Sequence, residues 1–272
     1  MKVKLNGYSP LRLHLLSEGD TLVEKNEDVF ITEQSEGVVP EIALQILGYE
    51  LKDGDESAMI TKWFSSEWNE QTYVSFPLST LMSKGLGYKR ELGRVGRFVV
   101  KNPLEDVFQS LKNTFNEMKY KGFVSIKVNA KMEMIEVLFG AGLSLYSLFE
   151  GIRNKISEFM TKGGNILESW SACLVVSRYP YPFQDSSDRL FLDLESSATK
   201  HLWFYDINVS KNSAFTDLTK VCLVTAWATS LNDLSKRIYR TCQGLNIDQM
   251  QYRTDIKDTI ANSWIDYLNC RK

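Results

Sequence analysis

Short runs of β-branched and aromatic residues, joined by connections too brief to hold a crossover helix, constrain this chain most. Residues 57–64 (SAMITKWF) and 72–78 (TYVSFPL) read as strands, with Asn69-Glu70-Gln71 between them. Parallel strands need a dozen or more residues of connection, so this spacing suits an antiparallel hairpin. Residues 28–34 (DVFITEQ) have the same strand composition. Residues 123–128 and 132–139 repeat the arrangement across a turn at Asn129-Ala130-Lys131.

Helices interrupt the hairpins irregularly. Asn102, Pro103 and Glu105 form a complete helix start: an N-cap, a proline at the first helical position and an acid at the third. Leu104, Val107, Phe108, Leu111, Phe115 and Met118 then recur at three- and four-residue spacing, and Gly122 ends the segment. A second amphipathic helix is expected over about 143–160, with Leu145, Leu148, Phe149, Ile152, Ile156 and Phe159 on one face. Gly163-Gly164 closes it and marks the expected boundary between a unit at 1–165 and a unit at 166–272. In the second unit, 172–178 and 221–229 are apolar strands, the first running into Tyr179-Pro180-Tyr181-Pro182. Ser230 caps a helix to about 243, with Asp233 three residues on, Leu234, Ile238 and Cys242 inward, and Gly244 as the stop. Strands 172–178 and 221–229 are expected in one antiparallel sheet backed by that helix. The irregular interleaving points to an α+β class.

Composition narrows the function. With 272 residues, 43% hydrophobic and 24% charged, the chain reads as one large or two modest globular domains. Lys and Arg number 32 against 34 Asp and Glu, a net charge of −2, which disfavours a surface built throughout for nucleic acid. No apolar run reaches bilayer length and the first twenty residues hold no secretory core, so a cytoplasmic protein without a membrane partner is expected. The four cysteines (Cys173, Cys222, Cys242, Cys270) and two histidines (His14, His201) show neither metal-ligand nor nucleophile–base spacing, and are expected to be incidental.

The compositional anomaly is residues 83–101 (SKGLGYKRELGRVGRFVVK). Lys84, Lys89, Arg90, Arg94, Arg97 and Lys101 stand against Glu91 alone, punctuated by Gly85, Gly87, Gly93 and Gly96. Such a stretch reads as a loop until Phe98-Val99-Val100 turns strand-like. Its backbone N–H groups and cations could cradle phosphate, hold a nucleic-acid backbone, dock an acidic protein, or simply be solvated. Trp63, Trp68 and the Trp203-Phe204-Tyr205 cluster read as packing residues rather than a base-stacking platform.

The run 220–257 (KVCLVTAWATSLNDLSKRIYRTCQGLNIDQMQYRTDIK) resembles the C-terminal domain of the phosphoribosylamine–glycine ligase (glycinamide ribonucleotide synthetase) family, notably in the Tyr239 helix and the Tyr252-Arg253-Thr254-Asp255-Ile256 ending. The apolar strand from Ala172 and its tyrosine–proline turn resemble the segment before it. Residues 122–128 and 132–140 resemble the paired strands that carry the family's metal-binding EFNxRFG motif. Trp63–Glu67 resembles a WFNG hairpin, and Val3-Lys4-Leu5-Asn6-Gly7 a lid strand of ATP-grasp enzymes. The resemblance implies a partial ATP-grasp lid and core over 1–165, then a ligase-type α+β domain over 166–272.

It also implies site residues. Lys4, Asn6 and Gly7 would meet a nucleotide phosphate, Lys84, Lys89, Arg90, Arg94 and Arg97 would hold the polyphosphate, and Glu136 would ligate a metal, with ATP and Mg²⁺ as the cofactors. Lys4 also reads as a solvated lysine on a terminal strand, and Glu136 as an acid paired with a nearby Lys or Arg. The sequence departs from the family where charge matters: Leu138 stands in place of the motif's asparagine, its arginine is deleted, and the acid-His-Lys-Arg run expected near 76–87 (FPLSTLMSKGLG) is lost. The chain also opens about where the lid strands should be. These departures favour a non-catalytic derivative that binds a nucleotide, a partner protein or itself. The alternative is a component of an ATP-dependent carboxylate–amine ligase of the purine-biosynthesis type, completed by a second chain.

Overall fold

The computed structural model describes residues 21–24, 29–32, 50–79, 91–117, 119–152, 168–181, 190–192, 201–204, 208–209, 214–216 and 219–270. Fourteen strands are described: β1 (Thr21–Glu24), β2 (Val29–Thr32), β3 (Ala58–Phe64), β4 (Thr72–Ser79), β5 (Glu91–Val99), β6 (Gly122–Val128), β7 (Met134–Phe139), β8 (Trp170–Arg178), β9 (Leu190–Leu192), β10 (Leu202–Phe204), β11 (Asn208–Val209), β12 (Ala214–Thr216), β13 (Lys220–Ala228) and β14 (Met250–Gln251). The described helices are α1 (Glu105–Glu117), α2 (Ser144–Gly151), α3 (Leu231–Gln243) and α4 (Ile256–Cys270).

A nine-stranded sheet organises the molecule, in the order β10-β13-β8-β5-β4-β3-β6-β7 with β14 beside β8. Its pairings are antiparallel. The sheet runs across residue 165: β5 pairs with β8, Gly96 opposite Ser171. Side chains alternate between two layers, as the two-residue period of a strand requires. Val74, Leu174 and Val224 face one core with α1, α3 and α4, while Tyr73, Cys173 and Leu223 face the other with α2. β1 with β2, and β11-β12-β9, form two small separate sheets.

The helices follow their sequence signals closely where caps are strong. Ser230 Oγ accepts from the Asp233 N–H at 3.1 Å and starts α3, which lays Leu234, Ile238 and Cys242 on the sheet. Strands β8 and β13 pair along their length in front of it, as expected. At α1, Asn102 Oδ1 accepts from the Leu104 N–H at 3.0 Å, so the regular helix begins at Glu105, beyond Pro103. Phe108 and Phe115 pack edge-on to Trp68, 5.0 and 5.7 Å between ring centres. Trp68, Trp203 and Phe204 are thus core residues. Tyr205 lies outside the described residues, as does the expected helix beyond Ile152 up to residue 160.

One expectation is overturned. The glycine-punctuated stretch is not a loop from Glu91 onward: residues 91–99 are β5, a central strand between β4 and β8. Its glycines serve close strand approach. A Cβ on Gly93, whose φ is +145°, would lie 2.4 Å from the Cys173 carbonyl oxygen, and one on Gly96 the same distance from that of Val74. A further helix, α4, turns Ile256, Ile260 and Tyr267 inward. Trp264 packs 5.2 Å from Trp170, and the Arg97 guanidinium lies 5.1 and 5.2 Å from the two indole rings.

Among the described residues no helix is long and apolar enough to cross a membrane. Cys173, Cys222 and Cys242 are buried free thiols; burial pushes each up, Cys173 and Cys242 to about 12, which leaves them poor nucleophiles.

Candidate functional site

The face of the sheet that carries α2 opens into a pocket of about 240 Å³. β5 contributes Glu91 and Arg94, β6 Lys127, β7 Leu138 and β13 Lys220, with Tyr181 from the turn after β8. Strands far apart in sequence, and not all neighbours in the sheet, therefore line one polar cleft.

Arg94 is its centre of charge, and it is buried, with 1% of its surface exposed. Its guanidinium forks onto both Glu91 oxygens, reaches Glu56 Oε1 at 2.6 Å and donates to Ser75 Oγ at 3.3 Å. Ser75 Oγ lies 2.5 Å from Ser144 Oγ at the start of α2, so the network ties strand to helix. Burial alone would lower the Arg94 pKa, and the Glu91 and Glu56 carboxylates more than reverse this. Burial pushes Glu56 above its ordinary value, with Arg94 opposing.

The second charge group is Lys127 with Glu136, cross-strand partners on β6 and β7 whose Nζ and Oε2 lie 2.8 Å apart. Leu138, 6% exposed, walls the pocket two residues beyond Glu136. These residues do not suit Mg²⁺, which needs near-octahedral oxygen ligands at about 2.0–2.1 Å. The one acid of the expected motif is engaged by an ammonium, and its neighbouring ligand position is aliphatic. Among the described residues no group of three or more His, Cys, Asp or Glu side chains is gathered for a metal.

The residues singled out in the sequence are distributed unevenly. Lys4, Asn6, Gly7, Lys84, Lys89 and Arg90 lie outside the described residues. Arg94 is in the pocket, Arg97 is held between two indoles on the other side of the sheet, and Glu136 sits against Lys127. Glu56, Glu91, Lys127, Tyr181 and Lys220 were not anticipated. Only Lys127 had a readable signal, since a hairpin turning at 129–131 sets it opposite Glu136. Away from the pocket lining, Arg253 pairs with Asp255 and donates to the Ser79 carbonyl at the end of β4.

By sequence the chain matches no family model and no curated protein. By structure it is similar to a phosphoribosylamine–glycine ligase from Thermotoga maritima, with a TM-score of 0.54 and 13% identity over 76% of this chain and 56% of that one. A phosphoribosylglycinamide synthetase from Anaerococcus prevotii overlaps at TM-score 0.46 and 8% identity, covering 72% and 54% of the two chains. A biotin carboxylase from Campylobacter jejuni overlaps at 0.46 and 10%, covering 84% and 55%. The chain spans little more than half the length of each. The antiparallel sheet with helices on both faces is a partial ATP-grasp fold.

Proposed function

We propose that this chain is a non-catalytic derivative of an ATP-grasp ligase that holds polyphosphate-bearing molecules weakly and without selecting the base. The observation that carries this reading is the internal pairing of two of the pocket's lining cations, Arg94 and Lys127. Arg94 is satisfied by Glu91 and Glu56, and Lys127 by Glu136. An ATP-grasp reaction forms an acyl phosphate, and its cations and metal must stabilise charge developing on the transferred phosphoryl group. Cations already closed onto carboxylates of their own chain give up that role, because a ligand phosphate would have to break a partly buried pair to reach them.

Binding then falls to Lys84, Lys89 and Arg90. In sequence they lie between Ser79 and Glu91, which are paired across β4 and β5, and Glu91 lines the pocket. Calorimetric titration with pyrophosphate tests this. Affinity is expected to fall steeply from about 0.1 M to about 1 M salt, as the screening length shrinks from about 10 to about 3 Å. Replacing Lys84, Lys89 and Arg90 together with alanine is expected to remove it. Salt-insensitive binding that survives the triple substitution would contradict the reading.

The second reading, a ligase component completed by another chain, draws on the 56% coverage of the Thermotoga maritima ligase. It requires selective binding of Mg²⁺-ATP by this chain or its complex.

A further inference from the structure

The Lys127–Glu136 pair has a second consequence, which rests on the non-catalytic reading proposed above. Glu136 is the single acid retained from the metal-binding motif that β7 resembles, and Lys127 Nζ stands 2.8 Å from its Oε2. A divalent ion coordinated to that oxygen at about 2.1 Å would lie no more than about 5 Å from the ammonium, with both charges positive. The ammonium is held there by strand register, because Lys127 and Glu136 are directly opposed across the β6–β7 ladder. The pair is partly shielded, with 25% and 33% of the side chains exposed. Beside it, buried Leu138 adds no oxygen.

We infer that the Lys127 ammonium replaces a divalent cation at Glu136, so that this pocket excludes Mg²⁺. The positive charge a metal would bring is already covalently attached to β6. It has the charge of one proton rather than two, and it is a hydrogen-bond donor instead of a Lewis acid. Such a pair cannot polarise a phosphate oxygen as a metal does, in keeping with the absence of turnover.

The test uses the full chain and Mn²⁺ as the probe, read by the loss of the free-ion electron paramagnetic resonance signal. Three chains are compared: the natural one, Leu138→Asn, and Leu138→Asn with Lys127→Met, each shown to be folded by its thermal transition. The asparagine supplies an amide oxygen, and the methionine removes the ammonium while keeping its bulk. Leu138→Asn alone is expected to bind Mn²⁺ no better than the natural chain. The double variant is expected to bind it about tenfold or more tighter, and a further Glu136→Gln to cancel that gain. The inference is overturned if the natural chain or Leu138→Asn binds as tightly as the double variant, whether all bind or none does. Pyrophosphate titration of the natural chain in the presence of a chelator separates the two ideas. Failure to bind there and with Mg²⁺ removes the anion-binding reading, whereas binding that appears only with Mg²⁺ overturns metal replacement.

Discussion

Replacing Arg94 with methionine is expected to destabilise the chain by about 3–5 kcal/mol, the usual cost of removing one partner from a buried ion pair. Arg94 has 1% of its surface exposed and holds two acids, so its loss strands both Glu56 and Glu91 beside the pocket. Urea unfolding monitored by tryptophan fluorescence measures the change, and the melting midpoint is expected to fall on the order of 10 °C. The pH dependence identifies the cause. Burial already holds Glu56 above its ordinary value of 4.5, and without the guanidinium opposing it the folded-state pKa rises further. A folded state that binds the proton more tightly than the unfolded one loses stability as pH rises through the interval between the two pKa values. The deficit of the variant is therefore expected to be smaller near pH 4.5 than at pH 7. An equal deficit at both values would mean that lost packing, not stranded charge, is the damage.

Gly93→Val is expected to be comparably severe, for steric reasons. A side chain there would meet the Cys173 carbonyl oxygen at 2.4 Å and the Leu174 Cα at 3.0 Å, both backbone atoms of β8, and the residue has a φ of +145°. Overpacking costs about 1–3 kcal/mol, and a sparsely populated backbone conformation about 1–3 kcal/mol more. Since β5–β8 is the pairing that joins the strands before residue 165 to those after it, the variant should lose cooperativity as well as stability. Hydrogen exchange would show it as lost protection on β5 and β8 ahead of the other strands. Gly244→Ala is the matched control: a Cβ there meets nothing nearer than 3.5 Å.

The same glycines explain where the sequence was opaque. Gly93 and Gly96 look like loop punctuation because glycine in a strand is uncommon, and only the neighbouring backbones reveal that they permit close approach. By contrast α3 was legible to the residue, because Ser230, Asp233 and Gly244 are local signals that need no tertiary context. The helix α4 was hidden by its outer face: Ile265 and Leu268 are exposed and blur the stripe made by Ile256, Ile260 and Tyr267. At the pocket, Glu136 stood out as an acid among apolar neighbours, and hairpin register could have supplied Lys127. Arg94 was noticed for its charge alone. That it is buried against Glu56 and Glu91 depends on where the loop before β3 passes β5, which no local pattern encodes.

Calorimetric titration of the natural chain and of Glu136→Ala with Mg²⁺-ATP and Mg²⁺-GTP is the measurement closest to the central claim. If Arg94 and Lys127 stay closed onto their own carboxylates, binding is weak, alike for the two nucleotides, reduced by salt and nearly unchanged by Glu136→Ala. Tight, magnesium-dependent binding that prefers adenine and disappears with Glu136→Ala would contradict the account and establish a working ligase site.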